Sequence, residues 1–237
     1  MKILAVDTSA KSASVALVEN GEIKGEFFIN TMLTHSETLM PMINSVLSCA
    51  RTELKDVEVF AVNTGPGSFT GLRIGIAAIK GMAYALNKPC AAVSTLEAMA
   101  YNFANEEFIA CAVMDARCSQ VYNALFDVSA DRPVRICDDR ALSIDELTTE
   151  LQTIDKKIVL VGDGAKLCYA KFSQTSLADK VSIANENVRY QRASSTAFAA
   201  IHIFENNGTV NAKELMPQYL RLPQAQRELI AKQRNIK

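Results

Sequence analysis

The chain has 237 residues, 49% of them hydrophobic and 22% charged, with 25 Lys and Arg set against 26 Asp and Glu. A net charge of −1 excludes a whole-molecule field that would draw the chain to nucleic acid or a membrane surface. The length suits one domain or two small lobes, and two lobes are expected.

The N-terminal "MKILAVDTSAKSASVALV" places polar residues where a signal peptide needs an unbroken apolar segment, and no run reaches the roughly 20 apolar residues of a membrane span. Residues 2–6 read as an apolar strand ending at Asp7. Alternating strands "SASVALVE" and "EIKGEFFI" then flank Asn20-Gly21, a dipeptide suited to a tight hairpin turn. "THSETLMPMINSVLSCA" is helical in pattern: Thr34 and Glu37 form a capping box, Leu39, Ile43, Val46, Leu47 and Ala50 share a face, and Pro41 should bend the helix or remove a hydrogen bond. A strand at "VEVFAVN", a glycine-rich turn, a helix over about 70–86, a short strand near "CAAVS" and a helix from Thr95 follow.

Near residue 108 the pattern restarts. "FIACAVMDARCSQVYNALFDVSADRPVRI" is a strand ending in Asp115, a polar turn and two further strands, mirroring the opening with Asp7 and Asp115 in corresponding places. Then come a helix at 143–152, a strand "KIVLVGDG" and helices near 165–172 and 193–206. The repeat predicts an α/β fold of two lobes with duplicated three-strand-plus-helix topology, residues 1–106 and 107–237. The C-terminal end carries Arg221, Arg227, Lys232, Arg234 and Lys237 against Glu228, which reads as a solvated basic tail. Six cysteines form no CxxC pair, so reduced, mostly buried thiols in a cytoplasmic protein are expected.

The stretch "NTGPGSFTG" at 63–71 spaces its glycines as GxGxxxG, one residue off the dinucleotide fingerprint and without the GxxxxGK[ST] of a Walker loop. Two uses compete: a phosphate near Ser68 to Gly71 on the free N–H groups of a helix N-terminus, and a sharp turn capped by Ser68 or Thr70. In the helix itself Gly71, Gly75, Ala78 and Ala85 recur near helical spacing, with Ala77 and Gly81 beside them, and each interior glycine costs about 1 kcal/mol against alanine. Another backbone therefore packs close, from inside the fold or from another chain. The preceding helix adds Met32, Leu33, Met40 and Met42, which suit an interface. Asp7 and Asp115 sit where actin-like folds place carboxylates near a metal-bound phosphate, and where a turn aspartate caps its own loop. His35 and His202 have no partner in sequence, so histidine-based hydrolysis is not expected.

"ILAVDTS" at the start, "NTGPGSFTGLRIGIAAIKGMA" in the middle and "PQYLR" at 217–221 make the chain resemble, nearly end to end, the bacterial TsaB family, formerly YeaZ. The resemblance implies an actin-like, sugar-kinase-like (ASKHA) fold, in agreement with the repeat. It also implies a non-catalytic subunit for placing threonylcarbamoyl on the adenosine 3′ of the anticodon. TsaD would perform the transfer, the ATPase TsaE would join the TsaB–TsaD pair, tRNA would be engaged only indirectly, and TsaB alone would form a homodimer through the same surface. TsaD enzymes carry HLEGH where this chain has "VSTLEAM": Leu96 and Glu97 persist, but Thr95 and Met99 replace both histidines, so no metal and no catalytic residue is expected.

The interface carried over from the family comprises Leu39, Met42, Ile43, Val46 and Leu47 on the first helix with Leu72, Arg73, Gly75, Ile76, Ala78 and Ile79 on the second. Arg73 would reach a carboxylate or carbonyl across the seam, and Gly75→Glu or Ile76→Asp would leave the chain folded but unable to pair. No cofactor is expected; a nucleotide at the partner contact, with its phosphate near Asp7, Gly67, Ser68 and Gly71, is left open and is not assigned. An ATP-binding kinase or ATPase of the same fold, and less readily a peptidase, are the alternatives.

Overall fold

A computed structural model describes residues 1–31 and 33–221; Met32 and the tail residues Arg227, Glu228, Lys232, Arg234 and Lys237 lie outside them. The first half runs β1 (Lys2–Asp7), β2 (Ala13–Glu19), β3 (Glu22–Ile29), α1 (His35–Cys49), β4 (Val59–Gly65), α2 (Phe69–Leu86), β5 (Cys90–Ser94) and α3 (Thr95–Ala100). Asn20 and Gly21 both take positive φ, 52° and 80°, as the mirror-image turn between β2 and β3 requires. Glu37 closes the capping box on α1 by accepting from the Thr34 N–H at 2.9 Å and its hydroxyl at 2.7 Å. The Ser68 hydroxyl caps α2 by accepting from the Gly71 N–H at 3.3 Å.

The second half repeats this plan: β6 (Ile109–Asp115), β7 (Gln120–Asp127), β8 (Val134–Arg135), β9 (Arg140–Ser143), α4 (Ile144–Leu151), β10 (Ile158–Val161), α5 (Ala165–Phe172), β11 (Val181–Ile183), α6 (Glu186–Arg189) and α7 (Ala193–Glu205). The sheets have the same order, β3-β2-β1-β4-β5 and β8-β7-β6-β10-β11, with β9 also on β7. In both, hairpin partners are antiparallel and the strands reached through helices are parallel. The duplicated topology read from the sequence is thus present strand for strand.

Each sheet is covered on both faces, which explains its nearly continuous apolar strands. Leu4, Val6, Val15 and Leu17 face α1 and α2, whereas Ile3, Ala5, Ala16 and Val18 face α7. In the second sheet Ile109, Cys111 and Val113 face α4 and α5, while Ala110, Ala112 and Ala124 face α3. The last helix of each half has therefore crossed to the other half's packing surface: α7 covers the first sheet and α3 packs on β6 and β7. Division at 106/107 does not follow the packing. The inner faces are rich in alanine, so α3 approaches both sheets, α7 the first sheet, and the two helices each other closely.

A partly buried acid fixes α7 in this borrowed place. Glu26 on β3 pairs with Arg192 at 2.7 Å and accepts from the N–H and hydroxyl of Ser194 at 3.0 and 2.9 Å, satisfying one of the helix's N-terminal donors, while the Ala193 N–H donates to the Ser14 hydroxyl at 2.9 Å. Residues 210–218 return to the first lobe, where Val210 bridges to Cys90 and the Gln218 N–H donates to the Thr64 carbonyl at 2.8 Å. Among the described residues no helix is long and apolar enough to cross a membrane.

Candidate functional site

The glycines of the 63–71 stretch pack against the first hairpin loop. A Cβ on Gly67 would lie 2.4 Å from the Ser9 carbonyl oxygen, one on Gly71 2.1 Å from that of Thr8, and one on Gly75 2.3 Å from the Thr8 hydroxyl oxygen. Two hydrogen bonds hold the approach: Thr8 Oγ1 donates to the Gly71 carbonyl at 2.8 Å, and the Ser68 N–H donates to the Ser9 carbonyl at 2.7 Å. The close backbone demanded by the helix's glycine spacing is this chain's own, from residues 8 and 9.

Asp7 is buried behind that contact. Its carboxylate accepts from the N–H and hydroxyl of Ser9, both at 2.9 Å, and from the Asn63 amide, whose oxygen in turn accepts from Thr196 at 3.0 Å. Burial raises its pKa above the usual aspartate value, against the pull of the Ser9 and Asn63 hydrogen bonds. Asp7 is therefore a loop-fixing group and is withdrawn from any phosphate, as is Gly71, whose surface is covered by Thr8. Asp7→Ala is expected to cost about 2 kcal/mol of stability by leaving the Ser9 and Asn63 donors unpaired. Because its pKa is raised, the benefit Asp7 confers is full below the ordinary aspartate value and falls as pH climbs through the raised one. The stability gap between native chain and variant, read in urea, should thus be wider at acid than at neutral pH.

Gly67 and Ser68 do reach an open cleft of about 780 Å³ between the lobes. Lys11 and Ser12 line its first-lobe wall, with Asp115, Arg117 and Asp163 on the other side. The Ser12 hydroxyl is buried yet has no hydrogen-bond partner among the described residues. Over the cleft rim Phe69 stacks on Tyr219, with ring centres 4.1 Å apart, and Arg73 Nε donates to the Tyr219 hydroxyl at 2.8 Å. Arg73, expected to reach across a seam, is thus bound within its own chain. Arg221 then crosses to the second lobe and donates to the Ala116 carbonyl at 2.5 Å.

The helix faces assigned to an interface are reversed. Leu39, Met42, Ile43, Val46 and Leu47 of α1, and Leu72, Gly75, Ile76 and Ile79 of α2, are buried against the first sheet, and Ala78 is half-buried. Bulky side chains fill the space above a sheet and small ones do not, so the large stripe turned inward. The outer face of α2 carries Thr70, Arg73, Ala77, Gly81, Tyr84 and Ala85, and that of α1 carries Met40. Tyr84 is 61% exposed, Met40 44%, and among the described residues outside its own helix turn nothing lies within 4 Å of a Cβ built on Gly81.

A protein of Escherichia coli named "tRNA threonylcarbamoyladenosine biosynthesis protein TsaB" is 30% identical over 98% of this chain and 100% of its own length. The chain belongs to the TsaB family. A Bacillus subtilis protein of the same name is 28% identical over 99% of this chain and 100% of its own length. The family model "TsaD: tRNA N6-adenosine threonylcarbamoyltransferase" matches residues 30–229. YeaZ from Pseudomonas aeruginosa, a solved structure at 24% identity, superposes with a TM-score of 0.76 over 92% of this chain and 99% of that one. The fold is that of TsaB/YeaZ proteins, actin-like and sugar-kinase-like.

Within this TsaB chain the segment "VSTLEAM" forms part of the layer between the sheets. Thr95, Leu96 and Met99 are fully buried, Leu96 and Met99 in the alanine-rich core of the second lobe. Glu97 pairs with Arg135 at 2.9 Å, and Arg135 with Asp139 at 2.6 Å. Position 99 is a packing position, consistent with methionine there.

Proposed function

We propose that this chain is a non-catalytic subunit of tRNA threonylcarbamoyladenosine synthesis in the cytoplasm, and that it works by docking a TsaD-type transferase on the outer faces of α1 and α2. The family supports the pathway. The docking is supported by one observation: two adjacent helices present Met40, Ala77, Gly81, Tyr84 and Ala85 outward, all exposed among the described residues. Small outward residues let a partner helix come near, and a flanking tyrosine and methionine supply contact area. A second copy of the chain would use the same face when the transferase is absent, TsaE would bind the assembled pair, and tRNA would be met through the partner. Light scattering after size exclusion, on the chain alone and mixed with the transferase, tests the reading: a homodimer giving way to a heteromeric complex is expected, and a chain that stays monomeric and elutes apart from the transferase would refute it.

A second reading, an ATP-binding protein of the actin-like fold, is favoured by Ser12. Ser12, Lys11 and the N-terminus of α2 line one cleft, and the buried Ser12 hydroxyl has no hydrogen-bond partner among the described residues, a set suited to a phosphate. Calorimetric titration with ATP decides between them. Binding that falls about tenfold or more in Ser12→Ala, together with hydrolysis by the isolated chain, would establish the second reading; no heat of binding would remove it. Asp7→Ala cannot serve here, because Asp7 is structural.

A further inference from the structure

A second concavity, of about 400 Å³, opens at the C-terminal end of α2, lined by Tyr84, Asn87, Lys88, Asn211 and Lys213 with Ala83 and Ala212. Its walls come from distant parts of the chain that are firmly joined. The Lys80 ammonium donates to the carbonyls of Lys213 at 2.9 Å and Leu215 at 3.2 Å, and Val210 pairs with Cys90 beside it. The hollow is thus a property of the fold and not of a loose loop.

Its chemistry is one-sided. The Lys213 ammonium stands 5.5 Å from the centre of the Tyr84 ring. Neither Lys88 nor Lys213 pairs with a carboxylate among the described residues. The acid of the turn, Glu214, is already engaged as acceptor of the Asn211 N–H at 3.1 Å, and the Asn211 amide oxygen accepts from the Lys213 N–H at 3.0 Å, which leaves its NH₂ as a donor. Lysines at a helix end commonly complement the exposed carbonyls of the last turn. Here the backbone has partly met that need: the Asn87 N–H bonds to the Tyr84 carbonyl at 3.3 Å and the Lys88 N–H to that of Ala83 at 2.9 Å. Two ammonium groups and amide donors therefore line a hollow that supplies no acid of its own.

Tyr84 belongs both to this hollow and to the outer face of α2, and Gly81 and Ala85 adjoin it. We infer that the hollow seats a carboxylate side chain of the protein docked on α2, an inference that rests on the pairing proposed above. A carboxylate accepts from both ammonium groups, relieves their mutual repulsion and fixes the partner's register along α2, while the apolar stripe supplies contact area.

The test measures affinity for the purified TsaD-type transferase at low and high salt, with melting curves confirming the fold of each variant. The double variant Lys88→Glu with Lys213→Glu is expected to weaken binding about tenfold or more at low salt, and much less at high salt, as screening predicts for rim charges. Lys88→Gln with Lys213→Gln should flatten the salt dependence. Ala77→Glu, on the apolar stripe, serves as reference. If Ala77→Glu abolishes pairing while both lysine variants bind with unchanged affinity and salt dependence, the carboxylate seat is wrong and the pairing stands. A loss in the lysine variants that is equal at every salt concentration also overturns it. If Ala77→Glu binds normally, the pairing itself falls.

Discussion

Gly71→Val is expected to lose at least about 3 kcal/mol of unfolding free energy, enough to leave a domain of ordinary stability largely unfolded under mild stress. A side chain there meets the Thr8 carbonyl at 2.1 Å, and neither side is free to yield. Thr8 is tied to Gly71 itself, the next residue is tied to Asp7 and Ser68, and the helix is held by Leu72, Ile76 and Ile79 in the core. Gly75→Glu should fail in the same manner, since its Cβ would lie 2.3 Å from the Thr8 hydroxyl oxygen, so the expectation that this variant keeps its fold is reversed. Ile76→Asp would bury an unpaired charge and belongs with it. Gly81→Ala provides the contrast: an exposed helical glycine with open space around it should gain about 1 kcal/mol on becoming alanine. Urea unfolding followed by circular dichroism reads all of these, and an unchanged midpoint for Gly71→Val would show that residues 8 and 9 yield to α2.

Ala77→Glu and Gly81→Glu should behave oppositely, melting within a few degrees of the native chain while weakening association about 100-fold or more. Both positions point outward from α2, so a carboxylate is solvated in the lone chain and is stripped of water without a partner only when another helix closes over it. The readouts are the affinity for the transferase, the homodimer fraction by light scattering, and threonylcarbamoyladenosine in tRNA from cells carrying the variant. Normal assembly by both variants would show that the apolar stripe is not where the partner sits. Loss of assembly with a lowered melting point would point instead to damaged folding.

Local signals in the sequence were reliable where the chemistry is local. Asn20-Gly21, the Thr34/Glu37 box, a cap at Ser68, one of the two residues offered, and the order of the longer strands and helices are each determined within a few residues and appear as read. Short pieces escaped: β9, β11 and α6 have three or four residues' worth of pattern, too little to stand above turn composition. The orientation of α1 and α2 was read the wrong way round for a different reason. A helix apolar over more than half its circumference offers two faces, and periodicity does not say which one its own sheet claims. Side-chain volume does say, since the leucines and isoleucines turned inward and Ala77, Gly81 and Ala85 outward. The partners of Gly71 and Gly75 lie more than sixty residues earlier in the chain, and only the folded backbone shows that the glycines answer to Thr8.

The exchange of α3 and α7 has a consequence for synthesis. One face of the first sheet, with Ile3, Ala5, Ala16 and Val18, stays incompletely covered until residues 193–205 have left the ribosome. The N-terminal half, though made first, is the last to be finished: α1 and α2 cover only its other face, and the open side stays prone to sticking to neighbours during translation. A nascent chain cut short before Ala193 would leave a half-clad sheet, the sort of greasy intermediate that holdase chaperones are built to shelter.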